Sequence, residues 1–196
     1  SIFFANCSMA AGEACNVFAG PFTVSHHKAT LLIAGMFSFF NAGSGTNQSN
    51  HMYKLGPVHQ GIVERGSKTG SETHLLWPAR IGALSMIKGQ VYSNSDISEF
   101  PFSYVLGDGS ETVVIPGKNL SSVGIVRDAE KWNRRDNRNC QDKLDLVNTD
   151  ILSPCIINQV IKGIEKLESM KSKAGNQAGY INYRGVRIKH AWLNHG

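Results

Sequence analysis

Charge is scarce in this chain, and so is cysteine. Charged residues make up 18% of 196 positions, below the quarter that is usual in globular domains. That excludes a coiled coil and argues against long surface helices. The only cysteines are Cys7, Cys15, Cys140 and Cys155, with no CxxC pair and no zinc-finger spacing to a histidine. A disulfide framework is therefore not expected, no metal site is expected, and a reducing cytoplasm is the expected setting. Long apolar runs are also missing: nothing reaches the 18 or so residues that a membrane helix needs. The opening string SIFFANCSMAAG has neither an initiator Met nor the basic flank of a signal peptide, which predicts a fragment cut from a longer protein. The net charge of +5 and pI near 9.1 suit an anionic ligand. No RNA-recognition, homeodomain or zinc-finger pattern accompanies that charge, so nucleic acid is not an expected partner.

What the chain does have is glycine, 20 residues of it, and 41% hydrophobic residues, enough to bury a core. From Ser1 to about Asp96 no helical period persists. Short apolar clusters (Ile2 to Ala5, Val17 to Ala19, Leu31 to Ala34, Phe37 to Phe40) alternate with Gly, Ser, Asn and Pro, the texture of many short strands with frequent corners. A six-residue repeat would make this a parallel β-helix. IGALS at 81–85, with Ile87 six places after Ile81, fits that repeat, while VFAGP at 17–21 and IAGMF at 33–37 fit it in part. A sandwich or open barrel is the alternative. Beyond 100, SYVLGDGSETVVIPG predicts a hairpin turning at Gly107-Asp108-Gly109, and SVGIV at 122–126 predicts a further strand. Ser153 as N-cap and Pro154 at the first position open a helix that ends near Ala174. Ile157, Val160, Ile161, Ile164, Leu167 and Met170 form its apolar stripe, expected to be packed. A last hairpin turns at Arg184-Gly185.

The expected architecture is mainly β: a left-handed parallel β-helix over 1–96, a β-rich extension over 97–139, and a C-terminal helix and hairpin over 140–196 that caps the open end.

VSHHKATLLIAGMFSFFNAGSGTNQSNHMYK, residues 24–54, carries the most chemistry. His26 and His27 are adjacent, and GSGTNQSN begins sixteen residues after His27. A β-helix coil takes about eighteen residues, so the two segments are expected on neighbouring coils. A histidine there can take a proton from an amine or hydroxyl, and backbone N–H groups can hold an oxyanion. Asn47, Gln48, Asn50 and His51 then stand as substrate contacts. GSGT is equally readable as a solenoid corner, and Asn47 and Gln48 as an internal hydrogen-bonded ladder. Lys54, Arg65, Lys68 and Arg80 recur along the β-rich part and, if coils align, form a stripe suited to a pyrophosphate. His51, His59 and His74 lack metal-binding spacing. The mixed charges around Trp132 (Arg127, Lys131, Arg134, Arg135 and Arg138 against Asp128, Glu130 and Asp136) read as an ion-paired surface, with phosphate binding as the lesser alternative.

The 24–54 segment is similar to the acetyltransferase half of the N-acetylglucosamine-1-phosphate uridyltransferases. In that family a histidine precedes a Gly-Ala-Gly-Thr string at this interval, and an Asn-Tyr pair follows. By position His27 matches the catalytic base and Asn50 the Asn, while Ser44 replaces the Ala and His51 the Tyr. More broadly, FAGPFTVSHHK, FNAGSGTNQSNHMYKLGPVHQG, ERGSKTGS and PARIGA resemble a bacterial family of left-handed β-helix proteins labelled UDP-N-acetylglucosamine pyrophosphorylase-related. The resemblance implies the fold and a homotrimer. It also implies a transferase that moves an acyl group from acyl-coenzyme A to a sugar nucleotide or amino sugar, with His27 or His26 as base. The other expectation, from a different class, is a non-catalytic β-helix module for sugar-nucleotide binding or assembly. No Gly-rich nucleotidyltransferase loop is present, so pyrophosphorylase activity is not expected.

Overall fold

The computed structural model of the chain describes residues 1–49, 60–174 and 179–189. Its strands are mostly two or three residues long and stack in parallel, coil upon coil. On the first face, Ile2, Phe18, Met36, Ile62, Arg80 and Asp96 stand in register. On the second, Ser8, Val24, Asn41, Lys68, Met86 and Tyr104 do so. Glu13, Leu31, Asn47, His74 and Gln90 mark the third. Steps of sixteen to eighteen residues separate the rungs except at one coil, where the steps from Met36 to Ile62, Asn41 to Lys68 and Asn47 to His74 are 26, 27 and 27. Three flat faces of about six residues are the hexapeptide pattern. The protein is a left-handed parallel β-helix over its first hundred residues, the alternative that the resemblance implies, and not a sandwich or open barrel.

Period-2 alternation decides what lies inside. Each residue following an outward rung position turns inward, so Ala19, Phe37, Val63, Ile81 and Ile97 fill the prism from the first face. Ala42, Ile87 and Val105 fill it from the second, and Leu32, Leu75 and Val91 from the third. Between the first and second faces, Phe22, Phe39, Leu84 and Phe102 occupy one corner in the left-handed region, with φ of 59°, 49°, 56° and 56°. That region costs a non-glycine residue about 1–2 kcal/mol. Burial of a Phe or Leu returns about 1.5–3 kcal/mol, and all four are buried beneath Trp132 and Ile156. Burial outweighs the strain, so this corner tolerates apolar side chains where glycine would be the unstrained choice.

The solenoid continues past residue 96: Tyr104–Asp108 still stacks in parallel on Met86–Val91. Only with Thr112–Ile115, antiparallel to Tyr104–Asp108, does the winding stop. The hairpin predicted there is present. The strand predicted at 122–126 is not. Val123–Arg134 is an α-helix, here α1, opened by Ser122, whose hydroxyl accepts a hydrogen bond from Gly124 N at 3.1 Å. The β-branched Val-Gly-Ile-Val string favours a strand locally, but the cap and the packing of Trp132 onto the corner override it. The second helix, α2, runs Pro154–Ala174 as predicted. Its buried side is Ile156, Gly163 and Met170, whereas Ile157, Ile161 and Ile164 of the predicted stripe are about half exposed. The helix has rolled about one residue from the expected face because Gly163 meets the carbonyl of Glu99 too closely for a Cβ. Tyr180–Tyr183 and Val186–Lys189 form the last hairpin, which adds to the sheet through Thr112–Ile115 and buries Val186 and Ile188 in the main core.

Candidate functional site

A cleft of about 400 Å³ opens between the second face of the solenoid and α1. Its floor is the outward rung positions Ser8, Val24, Asn41 and Lys68, with His26 two residues beyond Val24 on the same side of the strand. The aromatic corner, Phe22 and Phe39, closes one edge. Along the opposite wall α1 and the residues after it supply Asp128, Lys131, Trp132, Arg135 and Asn137. Residues 128, 131, 132 and 135 share one face of a helix at the i, i+3, i+4, i+7 spacing.

Three features fix this geometry. Lys68 Nζ and the Asp128 carboxylate form an ion pair with little solvent contact, which joins the floor to the helix. Trp132 is buried edge-on against Phe39, ring centres 4.7 Å apart. Behind it lies Arg65, its guanidinium carbon 4.4 Å from the Phe39 ring centre and 5.8 Å from that of Trp132. The space that Arg65 and Trp132 share exists because the corner residue there is Gly66, where a Cβ would strike Leu84 and press on Trp132. At the cleft mouth, Asn6 Nδ2 donates to Asp136 Oδ1 at 3.0 Å and Asn137 N donates to Asn6 Oδ1 at 2.9 Å. Asp136 is further held by Arg138 and Lys143. The Arg138 hydrogen bonds, with that of Asn6, keep the Asp136 carboxyl far below the usual carboxylate range.

The electrostatics are unbalanced. Lys68 is neutralised by Asp128; Lys131 and Arg135 have no ion pair among the described residues. Burial holds the Lys131 ammonium below its ordinary pKa, and the positive charge of Arg135 adds to the depression. Two like charges kept together on one wall raise the energy of the empty cleft and favour an anion within it. On the floor, His26 Nε2 lies 2.8 Å from Ser8 Oγ, across two neighbouring rungs.

The predicted site residues are dispersed by the fold. His26 and Lys68 line the cleft; His27 does not. It stands exposed at the next corner, where its carbonyl accepts the Thr30 hydroxyl at 2.9 Å. GSGT is a corner of the solenoid on the adjoining coil. Gly43 N donates a hydrogen bond to Thr69 Oγ1 at 2.9 Å, and a Cβ at Gly43 would meet Gly70 O at 2.5 Å. Its amide is committed to the next rung rather than to a ligand. Gln48 is buried inside the prism, its Oε1 accepting from Ile33 N at 3.1 Å, which corresponds to the internal ladder rather than a substrate contact. Asn47 and His74 share the third face, around a corner from the cleft. Arg65 supports the cleft wall from behind, and Arg80 lies on the first face, paired with Glu64 at 2.7 Å. Asn50, His51, Lys54 and His59 lie outside the described residues. Among the described residues no three of His, Cys, Asp and Glu gather as metal ligands, the four cysteines are free, and no helix is long and apolar enough to cross a membrane.

Sequence reading missed Ser8, Asn41, Asp128, Lys131, Trp132, Arg135 and Asn137. The rung register would have aligned the first two with Val24 and Lys68. The longer step of 27 residues from Asn41 to Lys68 hides it.

Comparison with known proteins gives one match. The sequence pattern of a family described as "Domain of unknown function (DUF4954)" covers residues 1–171, so the chain belongs to that family. No curated protein and no solved structure matches it.

Proposed function

We propose that this member of the DUF4954 family is a transferase of the hexapeptide β-helix class, acting in the cleft beneath α1 on a sugar nucleotide or amino sugar, with acyl-coenzyme A as donor. The observation that carries this reading is the placement of His26 on the floor and of Lys131 and Arg135 on the opposite wall of one cleft. An imidazole can exchange a proton near neutral pH, and two cations can hold a phosphate. A volume of about 400 Å³ lies within the range of small-ligand sites. In this reading His26 takes the proton of the acceptor amine or hydroxyl, Asn41 and Asn137 orient the acceptor, and Lys131 and Arg135 hold its phosphate. The resemblance in sequence placed the base at His27; the geometry favours His26.

The same reading carries a homotrimer in the cytoplasm. Ile2, Phe18 and Met36, an exposed apolar ladder up the first face, support association between copies. A binding module without chemistry is the second reading, and the observation that favours it is that the partner of His26 is a hydroxyl, with no carboxylate bonded to the ring among the described residues. Titration calorimetry with UDP-N-acetylglucosamine and coenzyme A, followed by acetyl-coenzyme A turnover, separates the two. A transferase loses about 10²–10⁴-fold in rate in His26→Gln and keeps its rate in His27→Gln. Binding without turnover leaves the module, and no binding removes both.

A further inference from the structure

Many hydroxyls in this solenoid brace its backbone, and Ser8 does not. Thr23, Thr30, Thr46 and Ser103 each donate to the carbonyl three residues back, bracing a corner. Ser67 and Ser95 donate to carbonyls of other segments. These bonds are structural. Ser8 is different: it is exposed on the cleft floor, and its Oγ stands 2.8 Å from His26 Nε2. Among the described residues it is the one hydroxyl whose side-chain partner is an imidazole.

The contact is held from beneath. Ser8 N donates to Thr23 O at 3.0 Å and Ala10 N to Ser25 O at 2.8 Å, so both strands are clamped on either side of the pair. With Nε2 unprotonated the hydroxyl donates to it, the relation of a nucleophile to its base. Lys131 and Arg135 stand on the wall of the same cleft, where positive charge would favour a developing oxyanion. Cys7, adjacent in the chain, does not compete. Its Sγ is 3.1 Å from Gly20 O, and burial raises the thiol above its ordinary pKa.

We infer that Ser8 is a nucleophile activated by His26, and that it carries the acyl group between donor and acceptor as a covalent ester. This rests on the transferase reading above and deepens it: transfer proceeds in two steps rather than one. In the first, Oγ bonds to the carbonyl carbon of the donor thioester while its proton passes to His26 Nε2. The oxyanion collapses, the C–S bond breaks, and the thiol leaves with that proton. In the second, the acceptor amine or hydroxyl attacks acyl-Ser8 and gives its proton to His26. The Ser8 C–O bond then breaks, and the proton returns to Oγ. Atoms and charge balance without any further reactant. Esters and thioesters with a phosphate-bearing leaving group are the substrate class.

The test is labelling of the full chain with a fluorophosphonate–biotin probe, the adduct located by peptide mass spectrometry. The expected result is an adduct on Ser8 that falls at least tenfold in His26→Gln, with circular dichroism unchanged. Absence of an adduct on Ser8 in the folded chain overturns the inference. Acetyl-coenzyme A turnover with an amino sugar or UDP-sugar acceptor distinguishes the two levels. If Ser8→Ala keeps turnover and His26→Gln loses it, the covalent step is wrong and the transferase reading stands. If both lose it and Ser8 is labelled, both stand. If the chain binds neither coenzyme A nor a UDP-sugar, the transferase reading falls, whatever the probe does.

Discussion

The first and second faces of this solenoid are built from the same repeat and enclose the same interior, yet only on the second is the cleft walled by a helix. The first face presents Ile2, Phe18, Met36, Ile62, Arg80 and Asp96 outward, apolar at one end and charged at the other, and its cleft is lined by no helix residue. The second presents Ser8, Val24, Asn41 and Lys68, and α1 lies across them. The inward ladders of both are compact: Ala19, Phe37, Val63, Ile81 and Ile97 on the first, and Ser25, Ala42, Thr69, Ile87 and Val105 on the second. What separates the two faces is therefore the outward row and the element grafted over it, not the scaffold.

That contrast can be broken by matched substitutions. Trp132→Ala removes a buried indole from the corner and should cost about 3–5 kcal/mol in urea unfolding. Met36→Ala, half exposed on the first face, should change stability by no more than about 0.5 kcal/mol. Equal losses would mean that α1 does not pack as described. Asp128→Ala leaves Lys68 with little solvent contact and no counter-charge, a loss of about 3 kcal/mol. Arg80→Ala, which breaks the more exposed pair with Glu64, should cost about 1 kcal/mol or less. Arg135→Ala should weaken UDP-N-acetylglucosamine binding roughly tenfold or more by calorimetry, and Arg80→Ala should leave it unchanged; the opposite ranking would move the ligand to the first face. The smallest effect concerns the cap. Burial, aided by the hydrogen bond to Glu99, pushes the Tyr183 phenol up to about 12. Because the folded value is the higher one, its stabilisation is complete below the ordinary tyrosine value of about 10 and fades as pH climbs toward about 12. Ultraviolet titration of the phenolate, in which Tyr183→Phe removes the latest transition, checks this. A Tyr183 that ionises with the other tyrosines contradicts it.

The fold was far more legible in the sequence than the site. Gly-punctuated apolar clusters gave the short strands, Ser153-Pro154 opened α2, and Arg184-Gly185 turned the last hairpin, because each signal is local. The site depends on residues brought together by register. His26 was within sight, but its partner Ser8 is eighteen positions back, and Lys131 and Arg135 were read as ordinary ion-paired surface. Local preference also misread α1, where Val-Gly-Ile-Val suggested a strand until the Ser122 cap and the corner beneath Trp132 are taken into account. The buried face of α2 shifted for the same reason: the helix answers to the carbonyl of Glu99, which no periodicity reveals.

The bond between Asn6 and Asp136 crosses 130 residues of chain. In a solenoid each added or lost rung displaces everything beyond it by about 4.8 Å, and a twelve-residue helix such as α1 is about 18 Å long, close to four rungs. The helix thus serves as a gauge laid against the stack. Deleting one whole turn would leave every remaining strand paired and every hydrophobic layer filled, yet the gauge would overshoot and the mouth of the cleft would come apart. Unlike an open-ended repeat array, which evolution lengthens freely, this stack has the number of turns between Asn6 and α1 set by the bond that joins their ends.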